Sequence, residues 1–527
     1  MQLNPKTLST PQRLQLMQMA ERTLVQDPKN GEALSNIGML LLHEARYQQA
    51  ADYLKRALSV LKKNESILQA LAHSLYMSKQ YKESAKFRRK LCEINARNPQ
   101  YWADYAEILV EVGKITQAEQ AFAKAVRLAP NHADLLYRKA DFIRKQGRYD
   151  EANVILQNIQ QLEPGHPESL YLYTHSRKFN LAEAAQYNDH INSALPKAKE
   201  LTQVSSLNYA GGKIWQDAGD ADKAFKYYKK ANDIRLAELN PQFTGAFNNA
   251  KKVFTKSYIS DHAPAGDKTK APVFILGMVR SGTTLTESLC GAHSKVTAGD
   301  EMIHLSAIPR GLGMDSADTS KVTQVMNAYS DADFTAMAAD YCASVKHFHE
   351  RTPHFTDKLP ANFMNIGFIR TILPNAKIIH CKRHPIDNCL SIYTNSMRSA
   401  HIAYKSDLAR LGLYYRQYWQ LMQHWREHIK DGFHEIYYED MVTNTQLNAR
   451  NMIEYLDLDW EDSVMDRKGS QKTIRTLSAW QARQPIYTSS AGKWRKYEKH
   501  LAPLIDALGG VVDEYEAELA QLQEKKS

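Results

Sequence analysis

The sequence predicts a chain of two parts, an all-α solenoid followed by an α/β domain on a parallel sheet. Small residues recur at a fixed 34-residue step, at Gly38, Ala72, Ala106 and Ala140. After about residue 271 the helical periodicity gives way to short apolar runs separated by helical stretches. The first of those runs feeds a glycine loop, Gly277-Met-Val-Arg280-Ser281-Gly282-Thr283-Thr284. With 527 residues, 43% of them hydrophobic, the chain is long enough for two or three domains with separate cores.

The repeat is written in three series that keep phase. Ala50, Ser84, Ala118 and Ala152 step with the first series, as do the larger residues Tyr47, Tyr81, Ile115 and Tyr149. Pro28, Pro130 and Pro164 fall in the same register, at the turns. This unit of two helices has the period of tetratricopeptide repeats, whose small positions mark the close approach of paired helices. Past Pro164 the pattern loosens, then returns as Gly212 followed by Ala224, the separation seen between Gly38 and Ala50. A degenerate repeat is expected there, closed by a helix around Tyr227 to Leu239. A solenoid of this kind buries its core by stacking and offers a concave groove, so a peptide or protein partner is expected for residues 1–255.

Residues 256–271 are rich in Ser, Asp, Pro, Gly and Lys and read as a linker. Residues 272–527 form the second domain. Its strands are expected at Val273–Leu276, Ala376–Cys381 and Glu435–Tyr438. Strands that alternate with helices argue for a parallel sheet covered on both faces, with ligands at the carboxyl ends of the strands.

The glycine loop follows the first strand and leads into a helical pattern from Leu285. Strand, glycine loop and helix together aim several N–H groups and a helix N-terminus at one anion. In nucleotide hydrolases the corresponding position is a lysine that neutralises the outer phosphates, and here it is Thr283. A loop without that lysine, and without an evident metal ligand, suits a nucleotide whose outer group moves without magnesium, such as a phosphosulfate. A kinase or nucleotide hydrolase is disfavoured for the same reason. After the second strand, Arg383 and Ser391 stand eight residues apart, a separation that lets a guanidinium and a hydroxyl reach one phosphate.

The formal charge of +10 suits anionic ligands, but the basic residues are dispersed and no nucleic-acid-binding module is recognised. The cysteines Cys92, Cys290, Cys342, Cys381 and Cys389 show no C-x-x-C spacing, which fits a reducing compartment without structural zinc. The N-terminus lacks the order of a signal peptide and no apolar run nears the roughly 18 residues of a membrane span. A cytoplasmic location is expected.

The paired motifs resemble the two phosphate-binding segments of sulfotransferases that use 3′-phosphoadenosine 5′-phosphosulfate (PAPS), one segment for the 5′-phosphosulfate and one for the 3′-phosphate. Among these the motifs resemble the tyrosylprotein sulfotransferase group, and the domain order resembles that of tetratricopeptide-fused bacterial relatives. The resemblance implies a P-loop-like sulfotransferase domain with PAPS as co-substrate and no metal. It implies that Arg280 contacts the sulfuryl group and that Ser281, Gly282, Thr283 and Thr284 cradle it, with Val279 replacing the usual proline. In Gly299-Asp300-Glu301, Glu301 corresponds to the general base, with His304 as runner-up; His293, His380 and His384 also lie near the motifs. Lys358, in Thr356-Asp-Lys-Leu-Pro, corresponds to the lysine that stabilises the departing oxygen. Arg383 and Ser391 correspond to the 3′-phosphate pair, and Tyr438 to a tyrosine that helps bind the nucleotide. Ser478 corresponds to a late serine near the sulfate, and Lys493 to the closing basic segment, where Arg495 and Lys496 add charge.

The chain departs from that group at the acceptor. Two arginines that hold acidic peptides in tyrosylprotein sulfotransferases correspond here to Ile303 and a neutral stretch, with Arg310 only later. Three functions are therefore weighed: sulfuryl transfer to a hydroxyl such as a peptidyl tyrosine, transfer to a small molecule or saccharide with the repeats used for assembly, and a scaffold with an inactive nucleotide fold. The scaffold would require loss of Arg280, Lys358 or Glu301, and all three are present.

Overall fold

The 34-residue step is a step in helix boundaries. In the computed structural model, which describes residues 8–239, 245–397, 400–429, 432–466 and 490–526, the first helices of successive repeats are Gly31–His43, Glu65–Met77, Pro99–Glu111 and Ala133–Lys145. The second helices are Tyr47–Val60, Tyr81–Ile94, Ile115–Leu128 and Tyr149–Leu162. The small positions lie where paired helices meet: a Cβ on Gly38 would stand 2.6 Å from the Leu54 side chain, and the Ser84 hydroxyl donates to the Ala72 carbonyl at 2.7 Å. Two further series keep the step. Asn30, Asn64 and Asn98 cap the first helices with their side chains, satisfying N–H groups that a helix leaves open. Ala45, Lys79, Gly113 and Gly147 take positive φ in the turn between paired helices.

The chain divides into two compact units, one running to Arg144 together with Asp150–His166, the other holding Lys145–Tyr149 and Pro167–Ser527. The compact division thus falls well before residue 255. The second unit begins with helices, among them the expected degenerate repeat, Leu201–Asp217 and Ala221–Leu239. Gly212 meets Tyr228 there as Gly38 meets Leu54, and Gly219 supplies the positive φ of the turn. The segment read as a linker holds a helix, Lys256–His262, capped by the Thr255 hydroxyl and anchored by buried Ile259.

The sheet of the second unit has five parallel strands: β1 (Pro272–Gly277), β2 (Val296–Ala298), β3 (His354–Lys358), β4 (Lys377–Lys382) and β5 (His434–Tyr437). Their order is β2-β3-β1-β4-β5. β1, β4 and β5 lie where apolar runs predict strands; β2 and β3 are additional. Val273, Ile275, Ile379 and Ile436 pack with Met452 and Ile453 into one apolar cluster. Central β1 pairs Ile275 with Lys358 on one side and Gly277 with Cys381 on the other, so three loops leave the sheet at neighbouring carboxyl ends. Strand order reverses there, the position at which open α/β sheets bind ligands.

Candidate active site

The loop after β1 turns tightly because two glycines allow it. Gly277 has φ +143, and a Cβ on it would lie 2.3 Å from the Cys381 carbonyl oxygen. Gly282 has φ +106 and abuts the Tyr438 ring, where a Cβ would come within 2.8 Å. Gly282 also caps the helix Thr283–Cys290, so the first N–H groups of that helix open toward the loop. Arg280 takes φ +69, an uncommon conformation for a residue with a side chain.

That conformation is held from the next segment of the sheet. Arg383 follows β4, and Asn388 and Ser391 lie on the helix Pro385–Tyr393. Arg383 donates to the Arg280 carbonyl at 3.1 Å, Asn388 donates to the Val279 carbonyl at 2.9 Å, and Arg280 Nε donates to Ser391 Oγ at 3.2 Å. The Arg383 guanidinium also lies 4.7 Å over the Tyr438 ring. Arg280, Ser281, Gly282, Thr283, Thr284, Arg383, Ser391 and Tyr438 are thereby brought to one place. Ser281 Oγ and Arg383 Nε are buried with no hydrogen-bond partner among the described residues.

Lys493 reaches the same helix by a separate route. Asp387 accepts from the Gly492 and Trp494 backbone N–H groups at 2.5 and 2.8 Å, and Arg383 donates to the Ser490 carbonyl at 2.9 Å. Burial, then the neighbouring Lys213 charge, pushes the Lys493 ammonium down to about 7. Arg495 and Lys496 are exposed. Ser478 lies outside the described residues.

At the end of β3 a second centre forms. Lys358 is fully buried, and its Nζ lies 3.1 Å from Asp300 Oδ1, 3.1 Å from Glu301 Oε1 and 3.8 Å from Glu287 Oε2. Burial opposes its charge, but the three carboxylates more than offset this, and its pKa is raised. Glu301 is half open to solvent, with 47% of its side chain exposed, while Glu287 is buried. Glu287 accepts from the Thr356 hydroxyl at 2.7 Å and from the Asp300 N–H at 3.0 Å. Burial pushes its carboxyl up to about 7, with Lys358 opposing. A cation among carboxylates, one of them solvent-facing, can hold a carboxylate in position to take a proton.

Of the four histidines near the motifs, three have structural partners. His293 bonds the Asp459 carbonyl at 2.8 Å, His380 contacts Glu435 and Tyr418, and His384 contacts Glu516. His304 is exposed at the start of the helix His304–Gly311. Sequence reasoning missed Glu287, Asp387 and Asn388. Glu287 had a signal: it stands three and four residues after Thr284 and Thr283, the spacing of one helix face.

Comparison with known proteins finds two kinds of region in the chain. Residues 272–462 match the sulfotransferase family model, residues 18–64 a tetratricopeptide repeat model, and residues 68–211 the model of the cilia and flagella-associated protein 70 middle TPR-like domain. An uncharacterised protein of Aquifex aeolicus (strain VF5) is 28% identical over 78% of this chain and 54% of its own length. The protein-tyrosine sulfotransferase of Drosophila melanogaster is 24% identical over 42% of this chain and 46% of its own length. The chain thus spans about half the length of these curated relatives. Among solved structures, the sulfotransferase domain of the Synechococcus PCC 7002 olefin synthase aligns with 20% identity over 44% of this chain and 89% of that domain, with a TM-score of 0.33. The chain therefore joins tetratricopeptide repeats to a domain of the sulfotransferase family that is distantly related to protein-tyrosine sulfotransferases.

Proposed function

We propose that the C-terminal domain moves a sulfuryl group from PAPS to an acceptor hydroxyl by direct in-line transfer. The observation that carries this reading is the convergence of Ser391 and Arg383 on the glycine loop, Ser391 Oγ 3.2 Å from Arg280 Nε and Arg383 3.1 Å from the Arg280 carbonyl. The residues fit the nucleotide. Ser281 Oγ and Arg383 Nε are buried donors without partners among the described residues, and Lys493, whose charge is suppressed by burial, would recover it beside an anion. Arg383, Ser391, Tyr438 and Lys493 would hold the 3′-phosphate side, and Arg280 with Ser281, Gly282, Thr283 and Thr284 the 5′ side.

When bound, PAPS supplies a sulfuryl group already activated by its phosphate leaving group. The acceptor oxygen forms a bond to sulfur as the bond from sulfur to the bridging oxygen breaks. Glu301 takes the acceptor's proton through the carboxylate it presents to solvent. As that proton arrives, the attraction of Glu301 for Lys358 falls, and the Lys358 ammonium is freed to donate to the departing oxygen. Arg280 stabilises charge on the sulfonate oxygens. In such a loose transition state, positioning and fixed charge supply most of the acceleration. By the same resemblance, Ser478 would contact the sulfate.

A peptidyl tyrosine is one acceptor in this reading, with the repeats presenting a peptide or protein. The second reading, a small-molecule or saccharide acceptor, is favoured by Ile303, which is 56% exposed two residues after Glu301 where the related group carries an arginine. A cytoplasmic location belongs to the proposal and is supported by five unpaired cysteines. No described helix is long and apolar enough to cross a membrane. Transfer of label from sulfur-labelled PAPS to tyrosine peptides, sugars and phenols tests the proposal. Label on one class identifies the acceptor; label on none contradicts the reading.

A further inference from the structure

The last repeat grips the nucleotide side of the sheet domain at two places. Asn232, on the helix Ala221–Leu239, is fully buried and donates to the Tyr393 carbonyl at 3.0 Å, at the C-terminal end of the helix that carries Asn388 and Ser391. Its other amide atom, Oδ1, accepts from the Tyr209 hydroxyl at 2.8 Å and from buried Lys405 at 3.0 Å, so the amide is fixed on both sides. The same helix face holds the closing segment. Phe225 stacks on Tyr393 at 5.8 Å and on His500 at 4.4 Å, while Asp222 accepts from Lys499 at 2.7 Å and contacts His500 at 2.8 Å. Lys499 and His500 end the helical segment Lys493–His500, whose start is tied to Asp387.

Both gripped elements converge on Arg383. The Ser391 helix begins beside it, and the closing segment is joined to it through the Ser490 carbonyl. One helix pair thus contacts both the Ser391 helix and the Lys493 segment. Asp387 ties the two elements together at their near ends, and the helix pair contacts both at their far ends, at Tyr393 and His500.

We propose that the helix pair Leu201–Asp217 and Ala221–Leu239, built as a repeat, is a positioning element of the nucleotide site. Through Asn232, Phe225 and Asp222 it fixes the separation of the Ser391 helix and the Lys493 segment, and so the grip on a 3′-phosphate. The inference rests on the PAPS reading above and adds that this repeat is part of the site.

The test compares two nucleotides on the full chain. Adenosine 3′,5′-bisphosphate and adenosine 5′-phosphate are titrated calorimetrically into the parent, Asn232→Leu, Phe225→Ala and Asp222→Ala. The expected result is a loss of about tenfold for the bisphosphate in Asn232→Leu and Phe225→Ala, and about threefold in Asp222→Ala, with adenosine 5′-phosphate changed less than about twofold. Asp222→Glu restores the bisphosphate affinity. Asp222 is an exposed residue, so its variants keep the test open where Asn232→Leu does not fold. Equal loss for both nucleotides, or no loss for either, overturns the inference while leaving the PAPS reading standing. A parent chain that does not prefer the bisphosphate overturns both.

Discussion

Arg280 Nε and Ser391 Oγ, 111 residues apart in sequence, lie 3.2 Å apart in space. The bond joins the loop proposed to hold the phosphosulfate to the helix proposed to hold the 3′-phosphate, so the two ends of one nucleotide would be held by groups that hold each other. Ser391→Ala is expected to lose about 1.5–3 kcal/mol of nucleotide affinity, as for one hydrogen bond to a charged group. It should also lower turnover, because Arg280 loses its support. Affinity lost with turnover unchanged would show that the bond does not orient Arg280.

Arg280→Ala is expected to cost about 2–4 kcal/mol of transition-state stabilisation, the scale of one preorganised donor. Lys358→Ala should cost at least as much, and it also leaves Glu287, Asp300 and Glu301 without their cation. Single-turnover rates with saturating labelled PAPS measure both effects. Parent rates in both variants would remove these residues from the mechanism.

Glu301→Gln keeps the shape of the site and its hydrogen bond to Lys358 but cannot take a proton. Turnover should fall by about 10²–10⁴-fold with nucleotide affinity nearly intact. His304→Gln should leave turnover close to the parent value. The reverse pattern in these two variants would transfer the role of base to the histidine.

Burial raises Glu287 from 4.5 to about 7 and Asp357 from 3.8 to about 7. Between the unfolded and folded values the native state binds more protons than the unfolded chain, so stability from these groups is complete below the unfolded values and is lost as pH rises toward and through 7. Thermal melts should therefore show the sheet unit losing stability from about pH 5 to about pH 8, with a flatter slope in Glu287→Gln. An unchanged slope in that variant would contradict the assignment to Glu287.

Lys493, pushed down to about 7, is mostly neutral at pH 8 and should take up a proton beside an anion. Calorimetry in buffers of different ionisation enthalpy should show uptake approaching one proton per adenosine 3′,5′-bisphosphate at about pH 8. Uptake should vanish in Lys493→Met. Uptake that persists in the variant would place the titrating group elsewhere.

Much of this was legible in the sequence, for identifiable reasons. The 34-residue step survives because close helix packing admits only small side chains at Gly38 or Ala50, and burial there is complete or nearly so. β1 and β4 announce themselves as apolar runs. β3 does not, since His354-Phe-Thr-Asp-Lys358 is mostly polar yet wholly buried, each polar group being satisfied by tertiary partners such as Tyr341, Glu287 and Asp300. Glu287 was missed for the same reason: a glutamate on a short helix reads as surface until Thr356 and the Asp300 N–H are brought against it. The residues 256–271 have the composition of a linker, yet Tyr258 and Ile259 are enough to dock a helix there.

The most direct test of the central claim, that a lysine-free loop and the Arg383–Ser391 segment hold one doubly phosphorylated nucleotide, is calorimetric titration of the whole chain with adenosine 3′,5′-bisphosphate in the presence of a chelator. The account predicts one-to-one binding without magnesium, weakened about tenfold or more in Arg383→Ala. Binding that requires magnesium, or that is as tight in Arg383→Ala as in the parent, would contradict it.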